Sequence, residues 1–398
     1  MAVFHTLDDI EVRGKRVLVR ADLNVPVHDG RVVDATRVTR LAPTIRELAD
    51  RGARVVVMSH FGRPKDGVDP ALSLKPLVEP LGQAIGRNVA FVSDCIGAAV
   101  RQAVEKLAPG DVLLLENLRF HAGEEKNDPA FAKELAALGD IYVNDAFSTA
   151  HRAHASTEAI AHLLPSAAGR LMEAELRALQ AALETPERPV AAIVAGSKVS
   201  TKLQLLDFLV TKVQVLIIGG AMANTMLLAK GLDVGRSLVE RDMLDTGRAL
   251  FAKAKTASCE LILPVDAVVA TELKAGTTTS VVSVDHVPAD KMMLDIGPAS
   301  VQVIAAKLAQ CKTLVWNGPV GAFEVKPFDA GTNAIARNVA ELTGAGELMS
   351  VAGGGDTLAA LTQAGVVDRL SYASAAGGAF LEWLEGRELP GVKALKYG

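Results

Sequence analysis

Seven residues in the first half of the chain could grip a small, multiply anionic molecule: Asp22, Asn24, Arg37, His60, Arg63, Arg119 and Arg152. Guanidinium forks match phosphate and carboxylate oxygens in pairs, and an imidazole adds a further donor. Asp22 and Asn24 can take a hydroxyl group between them. Most of the seven sit in short turn-like strings: Asp22-Leu23-Asn24-Val25-Pro26, His60-Phe61-Gly62-Arg63-Pro64, Glu116-Asn117-Leu118-Arg119-Phe120 and Ala150-His151-Arg152-Ala153-His154. A lone surface arginine is ordinarily solvated or paired for little energy. The reading therefore rests on their recurrence after successive apolar runs. His151 and His154 read as groups that structure a loop.

The second half carries a different set. Its strings are Gly196-Ser197-Lys198-Val199-Ser200-Thr201-Lys202, Asn317-Gly318-Pro319-Val320-Gly321-Ala322-Phe323-Glu324 and Gly353-Gly354-Gly355-Asp356-Thr357. Glycine lets the backbone approach an anion, and a helix start attracts phosphate. Lys198 and Lys202 are expected one turn apart on one helical face. No GxxxxGK[ST] loop is present. Asp356 and Thr357 are expected at capping positions of a helix, which is either a plain N-cap behind a tight turn or a phosphate cradle where Asp356 could hold Mg²⁺. Glu324 either accepts from ribose hydroxyls or is an exposed loop carboxylate. Gly219-Gly220-Ala221-Met222 could line an apolar base pocket, with Met222 and Met226 as core filler. One chain carrying both sets suggests a two-domain phosphotransferase that must bring its halves together.

These residues need rigid supports. Short apolar runs recur at Arg16–Arg20, Ala53–Met58, Val89–Val92, Val112–Leu115 and Ile141–Val143, then at Val190–Val194, Val215–Ile218, Leu261–Leu263, Thr313–Trp316 and Leu348–Val351. Each reads as a strand buried on both faces. Amphipathic stretches such as Arg37–Arg51 and Pro129–Leu138 alternate with them, which gives two parallel-sheet α/β domains with right-handed crossovers. The chemical strings follow strands, where open α/β sheets bind ligands. A boundary falls near Leu164–Arg170, and the Ala/Leu/Glu-rich stretch Leu171–Leu183 reads as a linking helix and hinge element.

The bulk composition agrees. A chain of 398 residues fits two domains. Aromatics are only 4 %, so the core is aliphatic. The net charge of -4 argues against a nucleic-acid binder. Cys95, Cys259 and Cys311 stand far apart, without disulfide or zinc spacing. Met1-Ala2-Val3-Phe4-His5 lacks the features of a signal peptide, and no apolar run reaches roughly 18 residues. A cytoplasmic protein is expected.

In order, from Arg20-Ala21-Asp22-Leu23-Asn24-Val25-Pro26 through Asp34-Ala35-Thr36-Arg37 to Leu381-Glu382-Trp383-Leu384-Glu385-Gly386, the strings resemble those of the phosphoglycerate kinases. The resemblance covers essentially the whole chain. It implies two Rossmann-like domains facing a central cleft: a triose domain (1–168), a linking helix (169–188), a nucleotide domain (189–375) and a tail (376–398) that returns to the first. It implies a glycolytic, usually monomeric enzyme binding 3-phosphoglycerate or 1,3-bisphosphoglycerate and Mg²⁺ with ADP or ATP. Asp22, Asn24, Arg37, His60, Arg63, Arg119 and Arg152 match the triose ligands, with Arg37 at the reacting carboxylate. Lys198 matches the residue on the moving phosphoryl group. Gly196, Lys202, Asn317, Glu324 and Gly353, Gly354, Gly355, Asp356 and Thr357 match nucleotide and metal contacts. The chain departs from the usual pattern at Ser148 and Ala195, where glycine is common, and at Ala375 and Ala376.

Two rivals are weighed beside this. A nicotinamide oxidoreductase would need GxGxxG after an early strand, where Asp22-Leu23-Asn24-Val25-Pro26 stands instead. A phosphometabolite sensor that binds without turnover is favoured only by the departures at Ala195, Ala375 and Ala376.

Overall fold

The computed structural model describes residues 4–28, 31–65 and 67–396, with the side chain of Arg31 left out. The start of the chain, read above for a leader, lies partly outside them. The chain divides into two compact units, Met1–Leu176 with Glu388–Gly398, and Arg177–Arg387. The first junction falls inside the helix Arg170–Leu179, which continues as a π-helical turn at Gln180–Glu184.

The first unit is built on a six-stranded parallel sheet. Its spatial order is Val89–Phe91, Val112–Leu114, Arg54–Met58, Arg16–Arg20, Ile141–Asn144, Ser166–Ala168. The central strands are buried almost throughout, as their runs of Val, Leu and Ile require. Helix Thr36–Asp50 covers one face with the stripe Val38, Leu41, Ile45 and Leu48. All four belong to one apolar core with Val17, Val19, Val55 and Val57. The segment from Glu388 adds the short helix Pro390–Lys393 to this unit, and Gly391 N–H donates to the Ala150 carbonyl at 2.8 Å.

The second unit repeats the plan in the doubly wound order. Its strands run Glu260–Ile262, Val215–Gly219, Val190–Ala195, Thr313–Asn317, Met349–Gly353, Tyr372–Ser374. Numbered along the chain this is 3-2-1-4-5-6, with the reversal between Val190–Ala195 and Thr313–Asn317. Ligands bind at such a reversal because the loops leaving the two strands diverge and open a crevice.

Three features exceed the expected alternation. Edge strands at Ser166–Ala168 and Tyr372–Ser374 carry small or polar residues, which hide the apolar signal of a strand. An antiparallel sheet of Asp266–Ala270, Ser280–Ser283 and Met292–Ile296 is attached to the second unit. Ser280–Ser283 alternates half-buried with exposed residues, so it carries no buried apolar run. A two-stranded hairpin, Val27–His28 with Arg31–Val32, is likewise too short to read.

Candidate functional site

In the first unit the seven residues lie after the carboxyl ends of strands, except Arg37, which opens helix Thr36–Asp50. Asp22 is the hub. Its Oδ2 accepts from Arg37 Nη1 at 2.9 Å and from the Ser148 hydroxyl at 2.6 Å, and its Oδ1 accepts from Asn24 N–H at 3.1 Å. Arg37 Nη1 also donates to the Asn24 carbonyl, and Asn24 Oδ1 accepts from Gly62 N–H, both at 2.9 Å. These bonds join the loops after Arg16–Arg20, Arg54–Met58 and Ile141–Asn144. Ser148 thus adds a donor to Asp22.

Arg119 reaches the same loops. Its Nη1 donates to the Gly62 carbonyl at 2.7 Å and its Nε lies 3.2 Å from Glu125. Burial pulls its pKa down, with Arg152 and Arg20 adding to the effect against Glu125. Arg152 Nε donates to His151 Nε2 at 3.2 Å. Arg63 is exposed and has no hydrogen bond or ion pair among the described residues.

His60 is buried, and its Nδ1 lies 3.1 Å from Arg20 Nη2. Burial first, then the charges of Arg20 and Arg119, hold its pKa well below the usual histidine range. Guanidinium has only donors, so Nδ1 is the acceptor and the proton sits on Nε2. Behind it runs a buried network that sequence reasoning missed. Arg20 Nε donates to the Ser156 hydroxyl at 2.8 Å, and that hydroxyl donates to Glu124 at 2.6 Å. The usable signal is Arg20 itself, a charge at the buried carboxyl end of the strand Arg16–Arg20. His154 Nδ1 lies 3.9 Å from Glu124 and its backbone N–H donates to Thr157, which fits the loop-structuring reading.

In the second unit a cavity of about 610 Å³ opens at the reversal of strand order. Gly196, Lys202, Asn317, Glu324, Gly354, Gly355, Asp356 and Thr357 line it; Lys198 and Gly353 do not. Lys202 is the tie at its base. Its Nζ donates to Asn317 Oδ1 at 2.6 Å and to the Ala195 carbonyl at 2.5 Å. Burial pulls Lys202 down to about 8, opposed by the charge of Asp356. Asn317 Nδ2 donates to the Gly353 carbonyl at 2.8 Å. Gly318 sits at φ +101°, where a Cβ would come within 1.9 Å of the Ala195 carbonyl oxygen, so no side chain fits. Apolar walls come from Gly220, Ala223, Leu227 and Leu238, while Met222 and Met226 are fully buried, as core filler should be.

Two local expectations are corrected. Lys198 and Lys202 do not share a helical face: Ser200–Lys202 is a 3-10 turn and the α-helix begins at Leu203. Lys198 stays exposed in the loop, while Lys202 turns inward. Asp356 and Thr357 do not cap their helix either, since the N-cap is Gly354 and no side chain caps it. Thr357 instead ties two loops, its hydroxyl accepting from Gly318 N–H at 2.7 Å and donating to the Gly353 carbonyl at 2.9 Å. Asp356 is exposed in the first turn and takes no hydrogen bond or ion pair from the described residues. A free carboxylate on a phosphate-type cradle fits Mg²⁺, which is usually held by one or two carboxylates with phosphates and water.

An arginine-rich strand edge in one unit and a glycine-lined cavity in the other define an α/β kinase of two sheet units. A phosphoglycerate kinase family profile matches residues 7–387. The chain is 64 % identical over 392 residues to the "Phosphoglycerate kinase" of Rhodospirillum centenum, covering 98 % of this chain and 99 % of that one. It is 62 % identical over 393 residues to the protein of that name from Granulibacter bethesdensis, covering 99 % of each. Among solved structures it resembles the phosphoglycerate kinase of Coxiella burnetii, with TM-score 0.92, 42 % identity and 98 % of each chain covered. The chain belongs to the phosphoglycerate kinase family.

Proposed function

We propose that the chain catalyses reversible, Mg²⁺-dependent phosphoryl transfer from 1,3-bisphosphoglycerate to ADP, giving 3-phosphoglycerate and ATP in glycolysis. Family membership over nearly the whole chain supports the reaction class. The observation that carries the division of labour is that each sheet has one chemically loaded edge, cationic in the first unit and glycine-rich in the second.

In this reading, residues 1–168 bind the triose, 189–375 the nucleotide, 169–188 link them, and the tail 376–398 returns to the first domain, its residues up to Arg387 grouping with the second unit and those from Glu388 with the first. Asp22, Asn24, His60, Arg63, Arg119 and Arg152 hold the triose, and Arg37 reaches its reacting carboxylate. The neutral Nε2–H of His60 donates to an anionic oxygen. In the direction of ATP use, that carboxylate is the nucleophile, and it is already ionised at neutral pH, so no general base is required. Gly196, Lys202, Asn317, Glu324 and Gly353–Thr357 contact the nucleotide. Asp356 holds Mg²⁺, which when bound neutralises phosphate charge. Lys198, exposed in its loop with no side-chain hydrogen bond or ion pair among the described residues, is free to follow the phosphoryl group. Catalysis is then positioning and charge stabilisation of an in-line transfer. Ligands carried by different domains react only on closure, which also excludes water. We place the enzyme in the cytoplasm as a monomer; among the described residues no helix is long and apolar enough to cross a membrane.

The test is ATP formation from ADP, Mg²⁺ and enzymatically generated 1,3-bisphosphoglycerate. Rapid ATP that requires both protein and Mg²⁺ is expected. Binding of 3-phosphoglycerate without ATP would contradict the reading and favour a sensor. Lys198→Ala should cut turnover about 100-fold or more while triose binding persists, by analogy with other preorganised charge contacts.

A further inference from the structure

Asp295 is the penultimate residue of the strand Met292–Ile296 and is 4 % exposed. Among the described residues no cation pairs with it. Its two oxygens are instead used by backbone donors from two elements. Oδ1 accepts from its neighbour Ile296 N–H at 2.8 Å, and Oδ2 accepts from Gly331 N–H at 2.7 Å, in the first turn of helix Ala330–Gly344. The carboxylate also fills the space beside the 317–324 loop. A Cβ on Gly321 would lie 2.1 Å from Oδ1. The same loop is fastened nearby: Ala322 N–H donates to the Leu294 carbonyl at 2.9 Å, and Val320 N–H to the Thr332 hydroxyl at 3.1 Å.

A buried carboxylate without a cation is costly, and an apolar filler of similar size would serve the core better. What a filler cannot do is accept two N–H groups that point from different directions. We infer that Asp295 is a positioning residue for nucleotide recognition: it ties the strand end to the helix start and thereby sets the height of the pocket loop bearing Asn317 and Glu324. This rests on the proposed nucleotide pocket, whose wall includes Asp295, Gly318 and Glu324. Burial pushes Asp295 up to about 7, with Asp329 adding to the effect and the Gly331 and Ile296 N–H groups opposing it.

The test compares KM for MgADP, KM for the triose, kcat and the melting temperature in Asp295→Asn, Asp295→Ser and Lys202→Met. In Asp295→Asn an amide NH₂ faces one of the two N–H donors. We expect KM for MgADP to rise about tenfold, the scale of losing a hydrogen bond to a charged group, with triose KM unchanged and kcat altered less than about threefold. Asp295→Ser, which leaves a gap beside Gly321, should raise it further. A lowered melting temperature with unchanged MgADP KM overturns the inference, and so does failure of both variants to fold. If Lys202→Met also leaves MgADP KM unchanged, the pocket reading itself fails; if it raises KM and the Asp295 variants do not, only this inference fails.

Discussion

At the scale of single residues, charge state decides what each side chain can do. Lys202 is held near 8, so its ammonium is present below that pH and lost above it. Because kcat/KM reports groups of the free enzyme, kcat/KM for MgADP should fall as pH rises through about 8. A pH profile of Lys202→Met should lack that inflection. His154 is pulled to about 4 by burial and by the charges of Arg119 and Arg20. Its folded pKa lies below the unfolded value, so the neutral ring favours folding. That contribution is complete above about 6.5 and is lost as pH falls toward 4. Asp145 has the opposite sign: burial raises it to about 6, and its effect is lost as pH rises from 3.8 to that value. Proton-detected NMR titration should find His154 neutral at pH 6, and a midpoint near 6.5 would contradict this account of its surroundings. Ser148 makes a smaller, separable contribution. Ser148→Gly should raise triose KM about threefold, as for one net hydrogen bond, and barely move the melting temperature.

At the scale of elements, the site is a set of loops tied to one another by buried side chains. Thr357 joins the Asn317–Glu324 loop to the end of strand Met349–Gly353, so Thr357→Val should cost about 1–3 kcal/mol by stranding Gly318 N–H, and chemical denaturation will measure it. Much of this level was legible in the sequence. The ten apolar runs announce ten strands because parallel sheets are buried on both faces and leave no polar alternation. The strings after them announce the loaded edges. What escaped lacked a period. Ser166–Ala168 is three small residues, and the antiparallel sheet mixes buried with exposed positions. Lys198 and Lys202 were spaced for a helix, but Gly196 and Ser197 begin a loop, and the 3-10 turn after it sends the two amines apart. Asp295 and Glu124 carry no such signal, and Arg20 shows only its charge, for another reason. The partners that define their roles lie 32 to 136 positions away in sequence, so only folding reveals what they bind.

At the scale of the molecule, the proposed reaction assigns one substrate to each unit and needs both. Closure is the expected consequence. Small-angle scattering should give a smaller radius of gyration with 3-phosphoglycerate and MgADP together than with neither, and no change would count against it. The most direct test of the division itself is a crossed calorimetric titration of two variants with two ligands. Arg119→Ala should lose affinity for 3-phosphoglycerate about tenfold or more while binding MgADP normally. Lys202→Met should do the reverse. Loss of both ligands in folded Arg119→Ala, or loss of triose binding in Lys202→Met, would contradict the assignment of one ligand to each unit.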